Sequence, residues 1–267
     1  MAAKIAVLSQ KGGTGKTTAV RTLTDLLRRL DLRVLAVDLD PQGNLSDYLD
    51  IDPDASPTIG DVLAGRARSS EAVHAGVIPA NLGLAEAELM LGGKMGRELT
   101  LKKALEELDD DHDVILIDCP PALGLLTVNA LVAADFALLS AEAQYFSLQG
   151  VEQALEVIEL ARESLNPGLE WLGVVLNIAD MRTRHSREAY DSLREHFGEK
   201  LFEPTIRASI AYAESAERAL SILDYRPDLG LDYLLVGDEL LKRLGMTKAR
   251  RRLAPMLNGA RADHRPA

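Results

Sequence analysis

The stretch that decides the fold is Gln10-Lys11-Gly12-Gly13-Thr14-Gly15-Lys16-Thr17-Thr18. It lies between an apolar run at 5–8 and a helical pattern at 17–30, as in a strand–loop–helix unit. Glycines let such a loop curl so that its N–H groups point at phosphate oxygens, and the positive end of the following helix adds to the attraction. Lys16 is expected to reach the β- and γ-phosphates, and the Thr17 hydroxyl to ligate Mg²⁺. The strand–loop–helix setting disfavours the alternative, a glycine-rich turn followed by Lys and Thr by chance.

Apolar runs alternate with helical patterns on both sides of this loop. The runs are apolar throughout, as expected of strands covered on both faces, and they lie at 5–8, 34–37, 114–117, 136–139 and 172–176. The clearest helical patterns lie at 17–30, 151–165 and 231–244. This alternation predicts an α/β fold, a doubly wound and mainly parallel sheet flanked by helices. Ligands of such sheets bind at the carboxyl ends of the strands.

Composition limits the class of protein. The 267 residues carry 30 Lys+Arg and 41 Asp+Glu, a net charge of −11, which excludes a uniformly basic nucleic-acid binder. We expect one domain over 1–247, with 50–95 as an elaboration that includes a short helix at 58–64. The segment 248–267 is basic and contains Pro255 and Gly259, so we expect a flexible, frayed tail.

Cellular location is predicted from what the sequence lacks. Cys119 is the single cysteine, which permits no internal disulfide and indicates a reducing compartment. The amino terminus has no signal-peptide pattern, and the longest apolar stretch, 122–134, is too short to span a bilayer. These features predict a cytoplasmic protein.

Carboxylates follow the second and third major apolar runs. Asp38 and Asp40 follow the run at 34–37, and Asp118 follows the run at 114–117. A carboxylate at the end of a buried strand needs a cation or hydrogen-bond donors. Asp118 is expected to hold Mg²⁺ through water, and Asp40 to lie at the same metal and orient or deprotonate an attacking water. For Asp38, a metal role and a role in satisfying local backbone groups are equally open.

Three motifs in order carry a family resemblance. They are the loop K-G-G-T-G-K-T-T at 11–18, the string D-L-D-P-Q-G-N at 38–44, and the segment beginning D-C-P-P at 118–131. The chain resembles the ParA/Soj-type deviant Walker A ATPases, within the ParA/MinD superfamily of P-loop NTPases. The resemblance continues through 143–150 and 173–177 and covers about 4–245. Thr14, where Val is more usual, is a mild departure.

The resemblance implies an ATP-dependent homodimer that hydrolyses ATP slowly under stimulation by a ParB-like or other cargo protein. Lys11, at the start of the loop, lies poorly for its own subunit's nucleotide; in the family this lysine reaches the nucleotide of the partner. Gly12 is expected at the subunit interface. The implied ATP contacts are Lys11, Gly12, Gly13, Thr14, Gly15, Lys16, Thr17 and Thr18, with Lys11, Lys16 and Asp40 as the catalytic set. Chromosome or plasmid partitioning, or cargo positioning on the nucleoid, is the implied function.

Binding of non-specific DNA is less clearly implied. Arg182 lies in a D-x-R-T segment that in the family belongs to the DNA-binding face. Arg184 and Arg187 stand beside it, and for these two a solvated helix start and a DNA role are equally open. Further on, both usual arginines are replaced by Ala208 and Ala211. DNA binding is therefore weaker, absent, or moved to other basic residues, of which the candidates are Arg207, Arg218, Arg250 and Arg251.

The far end of the nucleotide site is also inferred. Asn177 is the candidate for the adenine edge, and Arg207 stands where the family has a proline next to the adenine pocket. One alternative is a MinD-like membrane-associated ATPase, but Pro255 interrupts the apolar face of the tail, so we expect no stable membrane anchor. Another is a metabolic ATP-dependent ligase of the same fold, for which no second substrate pocket is recognisable.

Overall fold

A six-stranded parallel sheet forms the centre of the protein, with strand order β3-β2-β4-β1-β5-β6. The computed structural model describes residues 1–144 and 147–263. The strands are β1 (Ala3–Leu8), β2 (Val34–Asp38), β3 (Val77–Ile78), β4 (Val114–Asp118), β5 (Phe136–Glu142) and β6 (Glu170–Asn177). The predicted parallel α/β fold is confirmed.

Helices connect the strands and cover both faces of the sheet. They are α1 (Lys16–Arg29), α2 (Asn44–Tyr48), α3 (Ile59–Ala64), α4 (Gly83–Gly92), α5 (Thr100–Glu106), α6 (Leu125–Ala133), α7 (Ser147–Ser164), α8 (Arg184–Phe197), α9 (Ala211–Glu217), α10 (Ile222–Tyr225), α11 (Pro227–Arg243) and α12 (Thr247–Asp263). Short 3-10 turns lie at Ser69–Ala72, Arg97–Leu99 and Gly198–Lys200. None of the described helices is both long and apolar enough to cross a bilayer.

The strands are apolar throughout because each contributes to two cores. In β1, Ile5 and Val7 pack into the core beneath α1, α11 and α12, whereas Ala6 and Leu8 pack into the core beneath α3 to α8. All of these side chains are fully buried. The two cores hold the sheet rigid, so the residues that follow its strands at the carboxyl edge have fixed positions.

The segment 50–95 forms part of the same body. The predicted helix at 58–64 is α3, and Ile59 of α3 and Leu84 of α4 share a core with Val37 of β2. Two-residue strand β3, at the edge of the sheet beside β2, was not predicted. Tyr145 and Phe146, within the matching segment 143–150, lie outside the described residues.

The prediction of a frayed tail is wrong for 248–263, because this part of the chain forms α12. Ala249, Leu253 and Leu257 are buried in the core that α1 and α11 share. Arg250 pairs with Asp238 of α11 at 2.7 Å. The apolar face considered above for a membrane is thus packed against the domain itself. Residues 264–267 lie outside the described part of the chain.

Candidate phosphate-binding site

The loop between β1 and α1 has the backbone that phosphate binding requires. Gly13 and Gly15 adopt φ angles of 78° and 77°, in the left-handed region where a side chain is strained. A Cβ on Gly15 would also approach Cγ of Asn177 to 3.3 Å. Gly15 is the residue that precedes α1, so the loop leads directly to the free N–H groups of the helix.

The first turn of α1 meets the end of β4. Lys16 Nζ lies 3.6 Å from Asp118 Oδ1, and the Thr17 hydroxyl donates a hydrogen bond to Asp118 Oδ2 over 2.7 Å. The contact exists because β1 and β4 are neighbours in the sheet, with Val7 paired to Asp118. The structure thus brings Asp118 into contact with two residues, of which Thr17 lies 101 positions earlier in the sequence.

Asp118 is suited to a divalent cation. Its side chain is fully buried, and burial raises its pKa, against which the charge of Lys16 and the hydrogen bond from Thr17 act. Among the described residues Asp118 Oδ1 has no hydrogen-bond partner. The same residues contain no group of three or more His, Cys, Asp or Glu side chains arranged to hold a metal ion by themselves. Mg²⁺ typically uses one or two carboxylates together with phosphate and water, so this donor set fits it.

Asp38 organises the turn that carries Asp40. The Asp38 carboxylate accepts hydrogen bonds from the backbone N–H and hydroxyl of Ser46, at 2.9 and 2.8 Å, and from the backbone N–H of Asp40 at 3.1 Å. Burial, with the neighbouring charge of Asp118, raises the pKa of Asp38 to about 7. Of the two open roles, these contacts favour the satisfaction of local groups. Ser46 was not singled out in the sequence, since only the folded turn shows what it binds.

Asp40 lies two residues after Asp38 in the same turn. It is 7% exposed, and its Oδ1 accepts from the backbone N–H of Gln42 at 3.0 Å. The backbone N–H of Leu39 donates to the carbonyl of Asp118 at 2.9 Å, which ties the two carboxylate turns together. Asp40 is therefore positioned at the same edge of the sheet as the phosphate loop.

The phosphate loop opens into a cleft of about 800 Å³, a volume typical of sites for nucleotide-sized ligands. The cleft is lined by residues 13–18 of the loop and the start of α1, and further residues lining it include Asn177, Ile206, Arg207 and Tyr212. Both residues predicted for the far end of the site thus line this cleft.

Asn177 is connected to the phosphate loop through a serine. Asn177 Nδ2 donates to Ser140 Oγ at 2.6 Å, and Ser140 Oγ donates to the Thr14 carbonyl at 2.8 Å. Asn177 is 1% exposed, and its Oδ1 has no hydrogen-bond partner among the described residues. A buried acceptor left unsatisfied suits a donor on a ligand. The sequence did not predict a role for Ser140, because it belongs to no local motif and its partner Thr14 is distant in the sequence.

Arg207 lines the cleft with its charge compensated. Its Nε lies 2.8 Å from Asp232 Oδ2, its backbone N–H donates to the same oxygen at 3.1 Å, and the hydrogen bond to Asp232 raises the pKa of the guanidinium. This intramolecular pair holds the side chain at the wall of the cleft and offsets its positive charge.

Lys11 and Gly12 lie at the exposed end of the loop. The Ser9 hydroxyl donates to the Lys11 carbonyl at 2.7 Å, while the Lys11 side chain is exposed. Within residues 1–144 and 147–263, Lys16 forms an ion pair and Lys11 forms none. A Cβ on Gly12 would meet only Pro121 Cβ at 3.9 Å, so nothing within the subunit requires glycine there.

The candidate DNA-binding arginines belong to separate elements. Arg182 pairs with Asp180 at 2.8 Å, and Arg184 pairs with Glu188 at 2.6 Å. Arg218 stacks over the ring of Tyr225. Of the candidate arginines, those that are exposed and form no ion pair in the described chain are Arg187, Arg218 and Arg251. Carboxylate neighbours thus offset part of the positive charge predicted for a DNA surface.

Comparison with known proteins gives consistent matches. A family model described as an AAA domain matches residues 2–171. The chromosome partitioning protein ParA of Myxococcus xanthus is 36% identical over 259 residues, 94% of this chain and 92% of that protein. A solved structure titled as cobyrinic acid a,c-diamide synthase from Mycobacterium smegmatis, with bound ATP analog and magnesium, is 37% identical with a TM-score of 0.75, covering 82% of this chain and 93% of that one. The apo structure of McdA from Cyanothece covers 90% of this chain and 100% of its own, with 27% identity and a TM-score of 0.81.

These matches extend over nearly the whole chain and agree with the predicted resemblance. With a phosphate loop of two lysines between β1 and α1, the chain belongs to the ParA/MinD superfamily of P-loop ATPases.

Proposed function

We propose that this ParA-type ATPase is a switch that dimerises around ATP and acts in chromosome or plasmid partitioning, or in positioning cargo on the nucleoid. The contrast between its two loop lysines supports the proposal. Lys16 is buried beside Asp118, whereas Lys11 is exposed at the start of the loop. A cation placed outside the phosphate cradle of its own subunit is available to the nucleotide of a second one.

In this proposal the loop N–H groups and Lys16 bind the triphosphate, and the nucleoside occupies the cleft towards Asn177. Thr17 and Asp118, with Asp40 nearby, would hold Mg²⁺, which when bound neutralises phosphate charge. Asp40 orients a water and accepts its proton as the water oxygen bonds to the γ-phosphorus. The bond from that phosphorus to the β–γ bridging oxygen breaks, leaving ADP and phosphate.

The partner subunit's lysine, at the position of Lys11, adds positive charge where the transition state gains negative charge. Its contact exists only while a triphosphate lies between the subunits, so hydrolysis removes the bridge and favours the monomer. Gly12 fits this arrangement, because its neighbours within the subunit leave room for a side chain and a closely approaching second subunit would not.

The relatives' names support the finer parts of the proposal. Partitioning is in the name of the Myxococcus xanthus ParA, and we extend to this chain a ParB-like stimulating partner and a location at the nucleoid. Non-specific DNA binding is assigned to surface arginines. Arg187 and Arg251 form no ion pair or cation–π contact in the described chain, and the remaining candidates are Arg182, Arg184, Arg218 and Arg250.

The proposal is tested by measuring nucleotide affinity and molecular mass together. With a saturating non-hydrolysable ATP analogue and Mg²⁺, wild type should sediment as a dimer. Lys11→Ala should bind the analogue with near wild-type affinity and remain a monomer. The matched control Lys103→Ala, an exposed lysine of α5, should dimerise. A wild type that stays monomeric, or a Lys11→Ala variant that dimerises normally, would contradict the switch.

A second candidate function is favoured by one comparison. The Mycobacterium smegmatis structure carries the name of an amide-forming synthase, and an ATP-dependent ligase of this fold would couple ATP turnover to a carboxylate and an amine. Steady turnover of ATP by the purified protein with no second small substrate supports the switch. Turnover that depends on added cobyrinic acid and an amine donor supports the ligase.

A further inference from the structure

Ile178 has a backbone conformation that its side chain disfavours. It directly follows β6 and adopts a φ of 55°, in the left-handed region where a β-branched residue is an outlier. The other described non-glycine residues with positive φ are Asp31, Asp50, Ala75 and Ala219. Since none of these is β-branched, Ile178 carries the most unfavourable combination of side chain and backbone among them.

Hydrogen bonds on both sides of Ile178 keep the backbone in this conformation. Before it, the carbonyl of Asn177 accepts from the backbone N–H of Ala143 at 3.0 Å. After it, the backbone N–H of Ala179 donates to the carbonyl of Ile206 at 2.9 Å. The chain is therefore fixed at both neighbours, and Ile178 cannot relax without breaking the pairing at the end of the sheet.

Ile178 lies at the cleft into which the phosphate loop opens. It lines the cleft next to Asn177 and is 37% exposed, so an apolar side chain is held at a ligand-sized opening. It directly follows Asn177, towards which the nucleoside extends in the proposed mode of ATP binding. Strained residues persist at binding sites when they hold a side chain in place for a ligand.

We propose that Ile178 is a specificity-determining contact for the nucleoside, held against the base and ribose by its strained backbone. The inference rests on the proposed binding of ATP in this cleft. The strained backbone at Ile178 lowers the stability of the folded protein, and the apolar contact increases its affinity for the uncharged nucleoside of ATP. Contact with the phosphates remains with residues 13–18.

Two ligands and one substitution separate these effects. Ile178→Gly removes both the strain and the apolar contact. The melting temperature of the nucleotide-free protein should rise by about 2–4 °C. The Kd for a non-hydrolysable ATP analogue with Mg²⁺ should rise about tenfold. The Kd for inorganic triphosphate with Mg²⁺, which has no nucleoside, should stay unchanged.

Matched variants complete the test. Ile178→Leu keeps an apolar side chain of the same volume and should retain the wild-type Kd for the ATP analogue within about twofold. Ile178→Asn, which tolerates left-handed backbone, should behave like Ile178→Gly and replaces it if that variant fails to fold. The control Ile210→Ala alters an isoleucine that is 78% exposed and should change neither Kd.

The inference is overturned if Ile178→Gly and Ile178→Asn bind the ATP analogue as wild type does, or weaken triphosphate binding equally. A melting temperature that does not rise in either variant overturns the role of strain. If wild type itself fails to bind the ATP analogue, the proposed function fails. If wild type binds and only these variants disagree, the role of Ile178 alone is rejected.

Discussion

The hydroxyl of Thr17 donates to Asp118 Oδ2 over 2.7 Å, which joins the first turn of α1 to the end of β4. The second oxygen of the same carboxylate lies 3.6 Å from Lys16 Nζ. The proposed phosphate contact, the proposed metal ligand and the start of α1 are therefore joined through one buried side chain, and we expect changes at each to have distinct outcomes.

Replacing Lys16 should remove ATP binding. Lys16→Ala deletes the charged group that we propose contacts the β- and γ-phosphates, and loss of such contacts is expected to weaken ATP binding by about 100-fold or more. Isothermal titration with a non-hydrolysable analogue measures this, and circular dichroism reports whether the fold is kept. Normal affinity in Lys16→Ala would show that the loop is not the phosphate site.

Replacing Asp40 should separate binding from turnover. Asp40→Ala keeps the phosphate loop, so ATP affinity should remain close to that of wild type, while hydrolysis should fall by about 10²–10⁴-fold. The variant should then accumulate as an ATP-bound dimer in size-exclusion chromatography. Wild-type turnover in this variant would remove Asp40 from the mechanism.

Stability without nucleotide should depend on the ionisation of Asp38. Its pKa is raised from 3.8 to about 7 in the folded protein, so the folded state binds this proton more tightly than the unfolded state. The contribution is present below about pH 4 and is lost as pH rises to about 7, by at most about 4 kcal/mol. Urea unfolding should show this decline for wild type and a smaller one for Asp38→Asn. Equal slopes in the two proteins would assign the decline to other groups.

The packing of α12 makes the end of the chain part of the stable core. Leu253 is fully buried, and Leu253→Ala should lower the free energy of unfolding by about 2–5 kcal/mol. Leu89→Ala, at a leucine that is 82% exposed, is the control and should change it by less than about 0.5 kcal/mol. Urea unfolding that shows equal stability for the two variants would mean that α12 does not pack as described.

The salt dependence of DNA affinity should change when arginines at the start of α8 are replaced. The double variant Arg184→Gln and Arg187→Gln removes two positive charges and should reduce the slope of log K against log salt by about 2. Arg33→Gln, an exposed arginine paired with Asp113 at the start of β2, is the control. An unchanged slope would leave Arg218 and the arginines of α12 as the candidates for DNA contact. If wild type binds no DNA, the assignment of DNA binding is rejected.

The central part of the fold was predictable because its strands are covered on both faces. Uniform apolar runs indicated β1, β2, β4, β5 and β6, and the glycines of the loop indicated the start of α1. The two residues of β3 are too few to form a pattern and are defined only by pairing with β2. Ser46 binds Asp38 only once the turn between them has folded, and Ser140 binds Thr14, which is distant in the sequence. No local sequence pattern therefore marked either serine.

The prediction for the tail failed because charge and Pro255 were given more weight than spacing. Ala249, Leu253 and Leu257 recur at intervals of four, which places them on one face of a helix. Pro255 lies within α12 and removes one backbone donor, but burial of this apolar face compensates in the folded domain. A composition shift at the end of a chain does not by itself indicate disorder.

The direction of β1 decides where a reporter can be attached. Met1 is 96% exposed and precedes the first residue of a strand that runs for six residues before the phosphate loop, a distance of about 20 Å. A fluorophore linked to Met1 therefore lies at the opposite end of β1 from Lys11. For tracking of single molecules in living cells, the label is best attached at Met1, because a label there leaves the surface around Lys11 unobstructed.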